Sequence, residues 1–223
     1  MDKSLHLVWL MVPSMLLIPG FLKGQTPDFI WANGVSGTVS ETGNCIAADN
    51  SGNTYIAGQF ESPSLTFGNK TIQNTGYSGT DDIFIVKYDS AGNVIWAKRA
   101  GGYGNDIPRN ITVDIDGNIY LTGSFSDGSV FFNNIVLDNS GMEDFFIAKY
   151  NSAGTAIWAK SASGIRNDIG YGITTDTSRN VIITGSFSSP LLKFNDSISL
   201  TNSGQYRREP LLFRFIYQRY NIL

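Results

Sequence analysis

The sequence predicts an all-β fold made of β-propeller blades, each a sheet of four antiparallel strands. The 223 residues include 24 glycines and 10 tyrosines, and 42% are hydrophobic against 16% charged. This composition is typical of short strands joined by tight turns around a substantial core. Whole strings of residues also recur in a fixed order, which indicates a repeat architecture.

Three families of strings define the repeat. Tryptophan marks the first, in Ile30-Trp31-Ala32, Ile95-Trp96-Ala97-Lys98 and Ile157-Trp158-Ala159-Lys160. The second is YIAGQF at 55–60, YLTGSF at 120–125 and IITGSF at 182–187, and the third is IFIVKYDSAG at 83–92 and FFIAKYNSAG at 145–154. The β-propeller region therefore covers residues 25–206, with repeats at about 33–98, 99–160 and an incomplete 161–206.

Each complete repeat is predicted to hold two hairpins, because runs rich in Ile, Val, Phe, Tyr and Thr alternate with turn residues. The best unit has strands at 111–114, 119–125, 144–150 and 156–161, with turns between them. The insert at 127–141 is expected to form an extra short hairpin at the blade edge. About two and a half blades are then present, as an open or truncated propeller that also has a lone outer strand at 30–32 and the first hairpin of a third blade.

The hairpin strings resemble a bacterial β-propeller repeat family known as SBBP. The matching stretches are CIAADNSGNTYIAG, ITVDIDGNIYLTG and ITTDTSRNVIITG, followed by DIFIVKYDSAGNVIWAK and DFFIAKYNSAGTAIWAK, within residues 28–204. The resemblance implies a secreted or surface-displayed repeat protein, often part of a longer chain, with no activity common to the family. The third copy has Arg179 where Gly52 and Gly117 stand, which would strain a left-handed turn by about 1 kcal/mol.

The N-terminal residues 1–24 read as a signal peptide. Lys3 precedes an uncharged stretch at 7–22, and small Gly24 suits cleavage at or just after that residue. An uncleaved membrane anchor is the alternative, since the stretch is barely long enough to span a bilayer. The expected location is the bacterial exterior, secreted or at the cell surface, with no membrane insertion after cleavage.

The scarcity of histidine and cysteine limits the kinds of catalytic and metal site that the chain could form. The single histidine is His6, inside the predicted signal peptide, and Cys45 is the single cysteine. Nucleophile systems that need an imidazole base are excluded from the mature chain, and so are zinc or copper sites and an intramolecular disulfide. We predict no cofactor, no metal site and no catalytic residue.

One acidic residue stands just before the first strand of each of the three repeats. These residues are the candidate ligand-binding residues: Glu41, Asp106 and Asp168. They belong to one end of the blades, so they either ring a channel mouth and bind a cation or a sugar, or cap turns through backbone amides. The repeated tryptophans either line a groove or pack the core, and the sequence favours packing. The string Asp114 to Asn118 begins like a calcium loop but continues into a strand, which favours a hairpin turn.

Function is predicted only by class: a non-enzymatic binding or display module for an unknown protein or carbohydrate ligand. The alternative is a fragment of an extracellular propeller hydrolase or lyase that uses paired carboxylates, and a third possibility is a fragment with no function of its own. The net charge of −3, and a larger acidic excess within residues 25–206, argue against nucleic-acid binding. Self-association is expected through exposed blade edges.

The repeat breaks at the C-terminal end. Residues 207–223 hold four arginines and no glycine, unlike the glycine-rich region before them. This tail is interpreted either as the product of a frameshift or damaged gene end, or as a real divergent tail.

Overall fold

The computed structural model describes residues 28–162, 164–204 and 207–215, which form strands and turns. The described residues up to Ile30 and those from Trp31 onward belong to two different units. Within the first unit the description begins at Asp28, and both Phe29 and Ile30 are exposed. The predicted signal peptide lies outside the described residues, and all 17 strands belong to the second unit.

Blade 1 is an antiparallel sheet whose long strands pair in chain order, β1-β2-β5-β6. A short hairpin of β3 and β4 follows β2 in the chain and precedes β5. It forms a two-stranded sheet of its own. The strands are β1 (Glu41–Ala48), β2 (Thr54–Phe60), β3 (Ser64–Phe67), β4 (Lys70–Gln73), β5 (Asp82–Tyr88) and β6 (Val94–Gly102).

Blade 2 repeats this plan, with the sheet order β7-β8-β11-β12 and a short hairpin of β9 and β10. The predicted four-stranded blade and the predicted extra hairpin are thereby confirmed. The strands are β7 (Asp106–Val113), β8 (Ile119–Ser126), β9 (Val130–Phe132), β10 (Ile135–Leu137), β11 (Glu143–Tyr150) and β12 (Ala156–Ala162).

Blade 3 has three long strands in the described residues, in the order β13-β14-β17. The sequence predicted only its first hairpin. The third strand comes from the tail, where Glu209 pairs with Phe187 as Asp144 pairs with Phe125 in blade 2. An extended apolar segment is enough to continue the sheet even though its residues do not match the repeat. The strands are β13 (Asp168–Thr175), β14 (Val181–Phe187), β15 (Leu191–Lys193), β16 (Ser199–Thr201) and β17 (Glu209–Phe215).

The lone outer strand predicted at 30–32 is not formed. Instead Ser36 makes an isolated antiparallel bridge to Thr66 of β3. A strand needs a neighbour along its length, and in the described residues no preceding blade supplies one.

The hairpin of blade 2 reaches back to blade 1. Gly101 and Gly102 of β6 pair with Phe131 and Val130 of β9, so blade 1 becomes part of a six-stranded sheet. A Cβ on Gly102 would lie 1.9 Å from the carbonyl oxygen of Ser129. This close approach of two backbones requires glycine.

The hydrophobic core lies between the blades. One cluster joins blade 1 residues such as Ile85 to blade 2 residues such as Phe146, and a second joins blade 2 residues such as Ile147 to blade 3 residues such as Ile183. A third cluster, which includes Phe84, covers the side of blade 1 that faces away from blade 2.

The turn at Asp114 to Asn118 is a hairpin turn, as predicted. The Oδ1 atom of Asp114 accepts the amides of Asp116 and Asn118, both at 2.9 Å, and Oδ2 accepts the Nδ2 of Asn118 and the hydroxyl of Tyr120. Both carboxylate oxygens are therefore used by the turn itself, in the manner of an Asx-turn. At the other hairpins, backbone amides donate in the same way to a side-chain oxygen. The accepting residues are Asp49, Asp89, Asn151 and Asp176.

Candidate functional site

The three candidate acidic residues occupy equivalent places at one end of the blades, which we call the loop end. Glu41, Asp106 and Asp168 are the first residues of β1, β7 and β13. Asp106 is 1% exposed and Asp168 is fully buried, whereas Glu41 is half-buried.

Each of these three carboxylates accepts hydrogen bonds from residues that are near it in the structure. Asp106 accepts the amide of Gly102 at 2.6 Å through Oδ2. Asp168 accepts the amides of Ser188 and Ser189, both at 3.2 Å, and the hydroxyl of Ser189 at 2.6 Å, and the Glu41 carboxylate accepts the hydroxyl of Ser62. Each side chain thus fixes a loop within its own repeat, and the structure shows no direct bond that joins the candidates to one another in the described residues. Their role as ligand-binding residues stays a prediction.

Sequence reasoning missed a second set of buried acids. Asp82 is the first residue of β5 and Asp144 is the second residue of β11, and both are fully buried. The Oδ2 atom of Asp82 accepts the amide of Thr75 at 2.9 Å and the Nη1 of Arg99 at 3.0 Å, and Asp144 accepts the amide of Ser140. The signal in the sequence was the Asp that opens each of the strings DIFIVKY and DFFIAKY.

The buried acids interact in two couples across the blade boundaries. The pKa of Asp106 is raised to about 8, first by burial and also by the charge of Asp82, against the bond from Gly102, which lowers it. Burial also raises the pKa of Asp144 to about 6, with the charge of Asp168 acting in the same direction. Low-dielectric surroundings and a like charge both disfavour the ionised form of a carboxyl group.

A pair of neighbouring carboxyl groups is what the predicted hydrolase or lyase would use for catalysis. These pairs differ from a catalytic pair in being closed to solvent. A general acid or base must come within hydrogen-bond reach of the group that it protonates or deprotonates. Asp82 and Asp106, at 0% and 1% exposure, have no accessible surface for such a contact. These carboxyl groups therefore lie buried between blades rather than on a surface that a substrate could contact.

The exposed feature of the loop end is a pair of stacked tyrosines, which we call the tyrosine platform. The rings of Tyr77 and Tyr103 lie 5.3 Å apart between centroids with 28° between their planes. They are 69% and 54% exposed. Tyr77 lies in the loop between β4 and β5, and Tyr103 lies in the loop between β6 and β7.

The apolar surface continues into the next repeat. Met142 and Ile165 stand at the positions equivalent to Tyr77 and Tyr103, and both are exposed. Beside them lies an open cleft of about 310 Å³. It is lined by Ser140, Gly164, Ile165, Pro190, Leu191 and Lys193.

Polar groups flank the tyrosine platform. Asp81 accepts the Nε2 of Gln59 at 2.8 Å, and its own amide donates to the Oδ1 of Asn105 at 3.1 Å. Amide and carboxylate groups that are fixed next to exposed rings provide donors and acceptors for a ligand that covers the rings.

The repeated tryptophans pack at the edge of the core rather than inside it. Trp96 is half-buried, packs against the core shared by blades 1 and 2, and donates its Nε1 proton to the carbonyl of Ser152 at 3.1 Å. A Cβ on Gly154 would lie 3.1 Å from its ring. Trp158 contacts the next core in the same partly buried way. These contacts join one blade to the turn of the following blade, which favours packing over a groove.

The described residues contain no group of three or more His, Cys, Asp or Glu side chains arranged to hold a metal ion. Nor does any helix in the described part of the chain have the length and apolarity that crossing a membrane requires.

Residues 95–124 match the SBBP family, whose description is "Beta-propeller repeat". The matched segment runs from β6 of blade 1 to β8 of blade 2, so it includes strands of two neighbouring blades. This chain is a β-propeller repeat protein. Its sheets are all antiparallel in the blades and do not close into a ring within the described residues.

Two curated proteins are similar to this β-propeller repeat protein. One is the "Uncharacterized WD repeat-containing protein L264" of Acanthamoeba polyphaga mimivirus, which is 28% identical over 205 residues that cover 78% of this chain. The other is the "Regulatory protein FlaEY" of Caulobacter vibrioides, 24% identical over 142 residues that cover 62% of this chain. The chain spans 15% of the length of each of these relatives.

Proposed function

We propose that this β-propeller repeat protein is a non-enzymatic binding module, exported to the exterior of a bacterial cell, that holds its ligand on the loop end. The observation that carries the proposal is the tyrosine platform. Two large rings, 69% and 54% exposed and stacked on each other, leave apolar surface in water. Exposed apolar patches that are rimmed by polar groups mark interaction sites, and tyrosine is enriched there.

The geometry favours a carbohydrate as the ligand. A flat tyrosine ring packs against the apolar face of a sugar ring, while the hydroxyl groups at the sugar's edge need donors and acceptors. Gln59, Asp81 and Asn105 lie in the flanking position. A protein ligand would use the longer apolar row from the platform to Met142 and Ile165.

The enzyme alternative has one observation in its favour. The raised pKa values of Asp106 and Asp144, caused first by burial, are a feature that functional carboxyls often share. Their burial supports a structural role instead, because a substrate has no path to them without a local opening of the loop end.

Binding to a glycan array and to insoluble polysaccharides tests the proposal. We expect the double variant Tyr77→Ala/Tyr103→Ala to lose at least tenfold in affinity, with its thermal melt unchanged. Tyr171→Ala is the matched control, since this tyrosine is 41% exposed on β13, away from the platform. Equal binding by the double variant and the wild type would refute the role of the platform.

Two further measurements separate the alternatives. Release of soluble sugar products, abolished by Asp106→Asn, would support the hydrolase or lyase. Mass spectrometry of the exported protein should find an N-terminus near Gln25 or Thr26, whereas an intact residue 1–23 segment in the membrane fraction would contradict export with cleavage.

A further inference from the structure

We propose that Asn33 is a site of spontaneous deamidation, and that its conversion to aspartate or isoaspartate detaches residues 31–36 from blade 1. The inference goes beyond ligand binding, because it concerns a covalent change of the chain itself that needs only water. Asn33-Gly34 is the one Asn-Gly dipeptide among the 223 residues. Glycine is the residue that hinders the reaction least, since it has no side chain next to the attacking nitrogen.

This dipeptide departs from the repeat in which it stands. The tryptophan and alanine that precede it are followed by Lys98-Arg99 in the second copy and by Lys160-Ser161 in the third. The packing of the first copy is nevertheless that of the repeat. A Cβ on Gly92 would lie 2.8 Å from the Trp31 ring, and the Trp96 ring lies over the equivalent turn of blade 2. The first copy therefore has a reactive dipeptide where the other copies have lysine.

The reaction is an intramolecular acyl transfer. The backbone nitrogen of Gly34 attacks the Cγ atom of Asn33, the N–Cγ bond forms, and the Cγ–Nδ2 bond breaks. The Nδ2 group leaves as ammonia and takes the proton of the Gly34 amide with it. Water then opens the cyclic imide at either of its two carbonyl carbons, which gives aspartate or isoaspartate. No atom is oxidised or reduced, so water is the only co-reactant.

The local structure leaves the attacking nitrogen accessible. Asn33 and Gly34 are both exposed, and a Cβ on Gly34 would have no atom within 4 Å. Within the part of the chain that the structure describes, the Gly34 amide donates no hydrogen bond. At Asp116-Gly117, by contrast, the amide of Gly117 donates to the carbonyl oxygen of Asp114 at 2.9 Å. The Gly34 nitrogen can therefore approach a carboxamide without first breaking such a bond.

The carboxamide of Asn33 also holds its segment on blade 1. Its Nδ2 donates to the carbonyl oxygen of Gly92 at 2.7 Å, next to the contact of the Trp31 ring with the same glycine. The following contact of the segment is the backbone bridge between Ser36 and Thr66 of β3. An aspartate at this position has no donor and would place a charged oxygen against the Gly92 carbonyl oxygen. Deamidation thus replaces an attraction with a repulsion.

Peptide mass spectrometry of the exported chain, after incubation in warm and mildly alkaline buffer, tests the modification. We expect aspartate and isoaspartate to accumulate at Asn33 faster than at any other asparagine. Gly34→Ala should slow the reaction by about tenfold or more, because the added Cβ shields the nitrogen, and the structure has room for it. Asn33→Lys restores the residue of the other repeats and should show no reaction at this position.

The urea-denatured wild-type chain is the positive control for the chemistry. If Asn33 stays intact in the folded protein while it reacts in the denatured chain, the fold protects the dipeptide and the proposal is wrong. Equal rates for the wild type and Gly34→Ala would also overturn it, since the Gly34 nitrogen would then not be the attacking group.

Hydrogen exchange tests the detachment. The amide of Ser36 donates to the carbonyl oxygen of Thr66, and the amide of Thr66 donates to that of Ser36. We expect both amides to exchange severalfold faster in Asn33→Asp and in the incubated wild type than in the fresh protein. The amides of the β9–β10 hairpin, which makes the equivalent contact with β6, should keep their rates. Incubated Gly34→Ala should keep slow exchange at Ser36 and Thr66, and unchanged exchange in Asn33→Asp would refute the detachment.

Discussion

Arg179 of blade 3 forms a two-point ion pair with Asp116 of blade 2. Its Nη2 donates to Oδ1 at 3.1 Å, and its Nε lies 2.7 Å from Oδ2. The backbone of Arg179 has φ of 65°, close to the 78° of Gly52 and Gly117 at the equivalent positions. The sequence predicted the left-handed strain of this residue, and the structure adds an interaction between blades that partly offsets it.

Replacement of Arg179 by glycine should therefore have an effect that depends on salt. At low ionic strength we expect the stability of Arg179→Gly to stay within about 0.5 kcal/mol of wild type, since lost strain and lost ion pair oppose each other. At about 1 M salt the pair is screened, so the variant should be the more stable protein, by up to about 1 kcal/mol. Urea denaturation at both salt concentrations measures this. Gly117→Ala, which adds the strain without a partner, should destabilise by about 1 kcal/mol in both.

Removal of the carboxylate of Asp114 should cost about 2 to 3 kcal/mol, because it leaves two turn amides without their acceptor. Asp114→Asn should restore most of this loss, since Asn151 accepts the equivalent amides of Ala153 and Thr155 in its own turn. Asp196→Ala, at an exposed residue, is the control and should be neutral. A calorimetric melt of each variant gives the comparison, and equal melting temperatures for Asp114→Ala and Asp196→Ala would contradict the turn's role.

Trp96→Ala should destabilise by about 2 to 3 kcal/mol, less than a fully buried aromatic residue, because the ring is half-buried. Trp96→Phe should lose about 1 kcal/mol, mainly through the bond to Ser152. Tyr77→Ala removes an aromatic ring that is 69% exposed and should change the stability little. Chemical denaturation measures the free energy of unfolding of each variant, provided that the m-values agree with that of the wild type. If Trp96→Ala leaves this free energy unchanged, the tryptophans become candidates for ligand binding again.

Stability should fall as pH rises from about 4 to about 8. The folded protein holds the proton of Asp106 up to its raised pKa of about 8, whereas an unfolded chain releases it near pH 4. The stabilisation is complete below the unfolded value and is lost as pH approaches the folded one. Asp144, whose burial raises its pKa to about 6, adds to the fall at lower pH.

The variant Asp106→Asn isolates this effect. An amide oxygen still accepts the Gly102 proton, and the side chain carries no charge at any pH. We expect the variant to match wild type near pH 4 and to exceed it in free energy of unfolding at pH 8. Urea midpoints across this range test it, and parallel pH profiles for the two proteins would mean that Asp106 does not titrate in the folded state as described.

The features that the sequence predicted are those with a local cause. The hairpin turns follow from single residues such as Asp114, and the left-handed backbone at Arg179 follows from glycine at the same place in other repeats. The platform was missed because Tyr77 and Tyr103 lie in different loops, and their stacking depends on how two blade edges meet. Asp82 was missed because an acid at the start of a strand reads as a surface residue, and β17 because its pairing depends on the open edge of β14 rather than on repeat letters.

The hairpin β9–β10 lies within blade 2 in the chain, between β8 and β11, but is hydrogen-bonded to the last strand of blade 1. Blade 1 cannot detach without breaking main-chain bonds to residues of blade 2, so heat or a pulling force must act on both together. Blades 1 and 2 are therefore expected to unfold together rather than one after the other. A protease cut in the loop between β6 and β7 would leave the two halves associated, held by this clasp and by the core beneath it.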